Sequence, residues 1–81
     1  MSERTIKSPL PGTFYHRPNP LADPYVSEGD EVKAGDVVGL VEIMKSFHEI
    51  QSDADGVVAR FLVENEDLVD VGQAIIALDP G

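Results

Sequence analysis

The sequence predicts an all-β domain built as a barrel or sandwich of antiparallel strands. Its apolar runs are short and rich in Val and Ile, and most are bounded on at least one side by Gly or Asp, which is typical of strands joined by turns. Six prolines and seven glycines among 81 residues favour a turn-dense architecture over a helical one. An internal repeat further predicts two similar halves related by a pseudo-two-fold axis.

The predicted strands begin at Ile6. Residues 1–5 carry no pattern and are expected to be a disordered N-terminus, and a chain of this length then forms one folded domain over residues 6–81. The clearest strand candidates are the apolar runs at residues 37–41, 57–59, 61–63 and 74–78. Glycine or charged residues separate these runs, so a long helix has little room.

The repeat has two offsets. Four residues recur 37 positions later, namely Val26, Asp30, Val32 and Gly35 as Val63, Asp67, Val69 and Gly72. Three upstream residues recur 44 positions later, namely Ile6, Ser8 and Gly12 as Ile50, Ser52 and Gly56. Because the offsets differ by seven, the first half contains about seven extra residues between Gly12 and Val26.

These extra residues form a proline-rich loop, predicted at about residues 16–23. Three prolines fall within residues 18–24, and each fixes φ and removes a backbone donor. The segment is therefore expected to be a stiff projecting loop rather than a strand. Its candidate functional residues are Arg17, Pro18, Asn19, Pro20, Leu21, Ala22 and Asp23.

Composition excludes several classes of function. The formal net charge is −9, which argues against binding to nucleic acid or to an anionic membrane. Without cysteine the chain has no disulfide and no thiolate metal site. No apolar run approaches the roughly 20 residues of a membrane span, and no signal peptide is apparent, so a cytoplasmic location is expected.

Catalytic patterns are weak, and the chain is expected not to be an enzyme. None of the serines lies in a G-x-S-x-G pattern, and the spacing of His16 and His48 does not suggest a shared metal. The acidic residues lack the order of a calcium-binding loop and are read as solvated turn residues, with no metal bound.

One segment carries a chemical signature. The sequence Glu42-Ile43-Met44-Lys45-Ser46 lies between two strand-like runs and resembles the biotin attachment site of biotin carboxyl carrier proteins, whose usual pattern is Glu-Ala-Met-Lys-Met. Residues 8–15 resemble the opening of the same domain in carriers of the acetyl-CoA carboxylase type. The proline-rich loop matches the position of the "thumb" of those carriers, and the resemblance covers residues 6–79.

The resemblance implies a flattened barrel of two four-stranded antiparallel sheets, the barrel-sandwich hybrid of the biotinyl/lipoyl domain family. It also implies that Lys45 sits on a hairpin tip and carries covalent biotin, flanked by recognition residues Glu42, Ile43, Met44 and Ser46. A biotin protein ligase would attach the biotin. The implied partners are a biotin carboxylase and a carboxyltransferase, acting on acetyl-CoA or a related acyl-CoA in fatty acid biosynthesis.

Two departures from the pattern leave alternatives open. Ile43 replaces the usual Ala and Ser46 replaces the usual Met, which bears on how well a standard ligase modifies Lys45. A lipoyl carrier of a 2-oxo acid dehydrogenase or glycine cleavage system would usually have Asp where this chain has Met44. The third alternative is an unmodified adaptor barrel. The Met-Lys pair is a poor type I′ turn, so the hairpin is inferred from the resemblance and not from turn propensity.

Overall fold

Eight strands and their connecting turns account for the part of the chain that the computed structural model describes, residues 4–79. No helix occurs within those residues, and so none that could cross a membrane. In chain order the strands are β1 (Arg4–Lys7), β2 (Gly12–Tyr15), β3 (Glu31–Val32), β4 (Val37–Ile43), β5 (Ser46–Gln51), β6 (Gly56–Phe61), β7 (Leu68–Val69) and β8 (Ala74–Asp79).

The strands form two four-stranded antiparallel sheets, which confirms the predicted fold class. One sheet has the order β1-β8-β6-β3 and the other has the order β5-β4-β2-β7. The two sheets pack face to face, the arrangement of a sandwich, and the inner strands β4 and β8 each bury four consecutive residues, 38–41 and 75–78. The buried core comprises Ile6, Phe14, Val26, Val32, Val38, Val41, Ile50, Val58, Val69, Ile75, Ile76 and Leu78.

The N-terminal boundary corrects the sequence-based expectation. Strand β1 begins at Arg4, which pairs with Leu78, and Thr5 pairs with Ala77. The expected disorder over residues 1–5 is therefore wrong for Arg4 and Thr5, because pairing with the buried strand β8 outweighs their weak local preference. The remainder of that expectation, residues 1–3, lies outside the described residues, as do residues 80–81 of the predicted domain.

A second correction concerns residues 61–63, which do not form a strand of their own. Strand β6 ends at Phe61, and the amide of Leu62 then donates to the carbonyl of Ile75 at 2.8 Å. Two strands of only two residues, β3 and β7, complete the sheets instead. Such short strands follow from pairing with a neighbour and leave no apolar run in the sequence.

The pseudo-two-fold relation extends to individual hydrogen bonds. The hydroxyl of buried Ser8 donates to the carbonyl of Leu10, and that of buried Ser52 donates to the carbonyl of Ala54, both at 2.6 Å. The two sheet orders also match one another strand for strand when the first and second halves are exchanged. The repeat found in the sequence therefore describes the fold itself.

Two equivalent glycines permit close contact between strands. A side chain at Gly12 would overlap the backbone carbonyl of Glu42, and one at Gly56 would overlap that of Asp79. Because the obstacle is backbone in both cases, it cannot move aside as a flexible side chain would. The two positions are related by the repeat, so each half has a glycine at the equivalent position that lets its strands pack closely.

Glu66 departs from this symmetry. Its φ is +73°, in the left-handed region, whereas its counterpart in the first half is Gly29 with φ +92°. A left-handed conformation costs a residue with a Cβ about 1–2 kcal/mol, and glycine avoids that cost. Glu66 is therefore held in a conformation that the first half assigns to glycine.

We expect Glu66→Gly to raise the free energy of unfolding by about 0.5–1 kcal/mol, since relief of the left-handed conformation exceeds the greater flexibility of glycine in the unfolded chain. The matched variant Gly29→Ala should lower it by a similar amount, because open space surrounds Gly29 and only its φ opposes a Cβ. Urea unfolding of both variants measures the two changes. Equal signs would contradict the assignment of strain to Glu66.

Candidate functional site

The Met44-Lys45 pair forms a two-residue turn between β4 and β5. Ile43 and Ser46 pair across its base, and the backbone φ values are +50° at Met44 and +68° at Lys45. Positive φ at both central residues is the geometry of a type I′ hairpin, which normally selects Asn-Gly or Asp-Gly. A methionine and a lysine here cost about 1–2 kcal/mol each, which indicates that something other than turn stability selects them.

The turn presents its side chains to solvent. Lys45 and Ser46 are exposed, and Met44 is 93% exposed. Glu42 and Ile43, which precede the turn on β4, are only half-buried. The ε-amine of Lys45 therefore stands at the tip of a hairpin whose backbone is fixed by cross-strand pairing. A free amine in this setting is accessible to an enzyme that acylates it.

Behind the tip, three strands are connected on the outer face of the sheet. The hydroxyl of Tyr15 on β2 donates to Oε1 of Glu42 on β4 at 3.0 Å. The rings of Tyr15 and Phe47 on β5 are tilted at 53° with centroids 6.0 Å apart. The hydrogen bond to Glu42 is the largest cause that raises the pKa of Tyr15 above its usual value.

A cleft of about 440 Å³ lies beside the hairpin, between the proline-rich loop and the turn at residues 65–66. Its lining combines proline and aromatic carbon with amide and charged groups, contributed by Tyr15, Arg17, Pro18, Asn19, Pro20, Phe47, Asn65 and Glu66. The structure thus brings four of the seven predicted loop residues into the cleft. Leu21, Ala22 and Asp23 are outside its lining, and Leu21 is 98% exposed.

The far part of the proline-rich loop is a tight turn. The carbonyl of Asn19 accepts from the amide of Ala22 at 3.1 Å, and its side-chain Oδ1 accepts from the amide of Leu21 at 3.0 Å. The backbone of the loop is therefore partly satisfied by Asn19 itself, as in other Asx turns.

The family model for biotin-requiring enzymes, which covers biotin and lipoyl domains, matches residues 4–78. The chain belongs to this biotin/lipoyl domain family. Among relatives, it is 43% identical over 75 residues to the biotin carboxyl carrier protein of acetyl-CoA carboxylase from Porphyra purpurea, a match to 93% of this chain and 48% of that one. It is 35% identical over 79 residues to the same carrier from Haemophilus influenzae, a match to 98% and 51%.

Solved structures agree with the fold. A single-chain, multi-domain long-chain acyl-CoA carboxylase superposes with a TM-score of 0.77 at 22% identity, covering 98% of this chain and 7% of that one. The urea carboxylase of Kluyveromyces lactis also gives a TM-score of 0.77, at 26% identity, with 98% and 6% covered. This chain spans about half the length of the curated relatives it matches.

Four residues that line the cleft were not predicted from the sequence. Tyr15, Phe47, Asn65 and Glu66 line it but were not among the predicted site residues. A signal existed for Glu66, because the repeat aligns this residue with a turn glycine of the first half. Tyr15 and Phe47 become visible only when strand register brings β2 and β5 to the same outer face, and Asn65 only through its hydrogen bond with the amide of His16.

His16 anchors the base of the proline-rich loop. Its carbonyl accepts from the amide of Tyr25 at 2.9 Å, which closes the loop, and its amide donates to Oδ1 of Asn65 at 3.0 Å. The imidazole lies between Phe14 and Phe61, with ring centroids at 6.2 and 5.4 Å. Nδ1 is buried without a hydrogen-bond partner among the described residues. Burial, and then the neighbouring Arg17 cation, lowers the pKa of His16 below its ordinary 6.5.

A lowered pKa in the folded state means that the unfolded chain takes up a proton at His16 more readily. We therefore expect the free energy of unfolding to decrease, relative to that of a His16→Gln variant, as the pH falls below about 6.5. The decrease should continue until the pH is below the lowered pKa of His16 in the folded protein. Above that range the difference between the two proteins should be constant. Urea unfolding at several values between about pH 7.5 and 5.5 measures it. A difference independent of pH would show that the imidazole ionises without penalty.

Proposed function

We propose that this chain is a biotin carboxyl carrier domain, with biotin held in amide linkage on Lys45. The observation that carries the proposal is the Met44-Lys45 pair at the exposed tip of a two-residue hairpin, in a chain similar to named biotin carriers over most of its length. Attachment forms an amide bond between Nζ of Lys45 and the carboxyl carbon of biotin, while one carboxyl oxygen of biotin leaves on the phosphoryl group of ATP that activated it and the amine releases its extra protons. The lysine cation is lost, so the domain becomes one unit more negative than its formal −9.

The domain itself performs no bond-making step in this proposal. A biotin protein ligase attaches the cofactor, a biotin carboxylase carboxylates it, and a carboxyltransferase passes the carboxyl group to acetyl-CoA or a related acyl-CoA. The chain contributes an accessible attachment point and a shape that each partner recognises, while the partners supply catalysis. Similarity to carriers of acetyl-CoA carboxylase supports this assignment of partners.

Residues next to Lys45 are proposed to form the recognition surface. Met44 offers an almost fully exposed apolar side chain, and Glu42 offers a carboxylate held by Tyr15. Ser46 replaces the usual methionine at an exposed position, so the substitution changes what a partner contacts and leaves the core unchanged. Ile43 is half-buried at the base of the turn, where the usual residue is alanine.

The proline-rich loop is proposed to act as the thumb and to receive the biotin ring in its cleft. Apolar carbon from Pro18, Pro20 and Phe47 suits the fused rings of biotin. The side-chain oxygens of Asn19 and Asn65 already accept backbone amides, so their NH2 groups can donate to the carbonyl oxygen of the ureido group. The cleft lies beside Phe47, two residues after Lys45, on the same hairpin.

We expect a biotin protein ligase with ATP and biotin to add one biotin, on Lys45 alone, because only this lysine occupies the hairpin tip. Intact mass and peptide mapping measure the number and position of the modifications. Lys45→Arg should keep the charge and the fold while eliminating biotin. The matched control Lys33→Arg should be modified as fully as the wild type. Biotin on another lysine would overturn the assignment.

We expect deletion of residues 17–23, which joins His16 to Pro24, to leave cooperative unfolding intact. The second half closes the equivalent connection without an insert, passing directly from Arg60 to Phe61, and a shorter loop carries no added closure entropy. Biotin on Lys45 should become more mobile, as NMR relaxation of its ring protons measures. A deletion variant that fails to fold would instead make this loop part of the core.

A further inference from the structure

The two halves of the fold differ on the outer face of the sheet that carries the hairpin. Under the repeat, Tyr15 corresponds to Ala59 and Glu42 corresponds to Asp79. The first pair is joined by a hydrogen bond of 3.0 Å, whereas Ala59 has no group to offer Asp79, which is exposed. The same pair of strands is thus built twice, and the phenol–carboxylate bond is added only in the half with Lys45.

The second half pairs the equivalent strands without the equivalent side-chain hydrogen bond. Strands β6 and β8 pair through Val57 and Asp79 as β2 and β4 pair through Thr13 and Glu42, so the strand pairing does not require the side-chain bond. Tyr15 and Glu42 stand on the outer face, away from the core that Phe14 fills. A reason for the bond must therefore be sought on the surface that surrounds the hairpin.

The hydrogen bond from Tyr15 restricts the carboxylate of Glu42, which lies close to Lys45. Glu42 is three residues before Lys45 and pairs across the hairpin with Phe47. A free glutamate loses up to about 1.5–2 kcal/mol of rotamer entropy when a partner orders it. The hydroxyl of Tyr15, which lies on the inner strand β2, orders the Glu42 carboxylate before any partner binds. The Phe47 ring beside Tyr15 limits the other rotamers of Glu42. Preorganised groups bind with a smaller ordering cost.

We propose that Tyr15 is a positioning residue that fixes the Glu42 carboxylate for the ligase that modifies Lys45. The ligase supplies a hydrogen-bond donor or cation for this carboxylate, and Tyr15 itself does not contact the reacting atoms. The inference rests on the proposed function, because it concerns the enzyme that attaches biotin. It adds Tyr15, which lies outside the attachment motif, to the residues on which recognition by the ligase depends.

The test compares initial rates of biotinylation by a purified biotin protein ligase at saturating ATP and biotin, with the concentration of the domain varied. Tyr15→Phe keeps the ring and its contact with Phe47 and removes only the hydroxyl. We expect kcat/KM to fall about three- to tenfold, through a higher KM at unchanged kcat. The control Tyr25→Phe removes a phenol that makes no contact with Glu42 and should match the wild type.

A double-mutant cycle with Glu42→Ala makes the result specific to the pair. In the Glu42→Ala background, Tyr15→Phe should have no further effect, since no carboxylate remains to be positioned. A full effect in that background, or wild-type kinetics of Tyr15→Phe alone, would overturn the positioning role. A wild-type domain that takes no biotin would overturn the proposed function and the positioning role together. The two failures are therefore distinguishable.

Discussion

The fold depends on an exchange of edge strands between its two halves. In each sheet the two inner strands come from one half, and the strands on either side of them come from the other half. Strands β8 and β6 are flanked by β1 and β3, while β4 and β2 are flanked by β5 and β7. Neither half can therefore complete a sheet alone, and a small core of twelve buried apolar residues closes only when both halves are present.

Much of this architecture could be predicted from the sequence, because it repeats. The offsets of 37 and 44 residues predicted two related halves and an insert of seven residues, and the structure shows the same relation in its sheets. The short strands β3 and β7 could not be predicted, since two residues carry no periodic pattern. The strand at Arg4 and Thr5 was missed for a related reason, because its stability comes from the partner β8.

The candidate site also has a part that the sequence predicts and a part that only the structure reveals. Lys45 and its neighbours are contiguous, so a motif reveals them. The cleft assembles residues from positions 15 to 66, and only strand register and the course of the proline-rich loop bring those residues together. Three departures from internal symmetry, namely Tyr15, Glu66 and the inserted loop, border this cleft. Comparison of the two halves therefore identifies residues near the cleft that the equivalent position of the other half does not share.

The geometry of the turn determines which motions are available to a carrier of this design. With Met44 and Lys45 both held at positive φ between paired strands, the hairpin has no spare residue that could act as a hinge. The flexible part of the arm then begins at the lysine Cβ and includes only the side chain and whatever is attached to it. If two active sites are farther apart than that arm can reach, moving the attached group between them requires translation of the entire barrel. Under the proposed function, the length and stiffness of any polypeptide that tethers the domain to its partners, and not the domain, would then set the range of delivery.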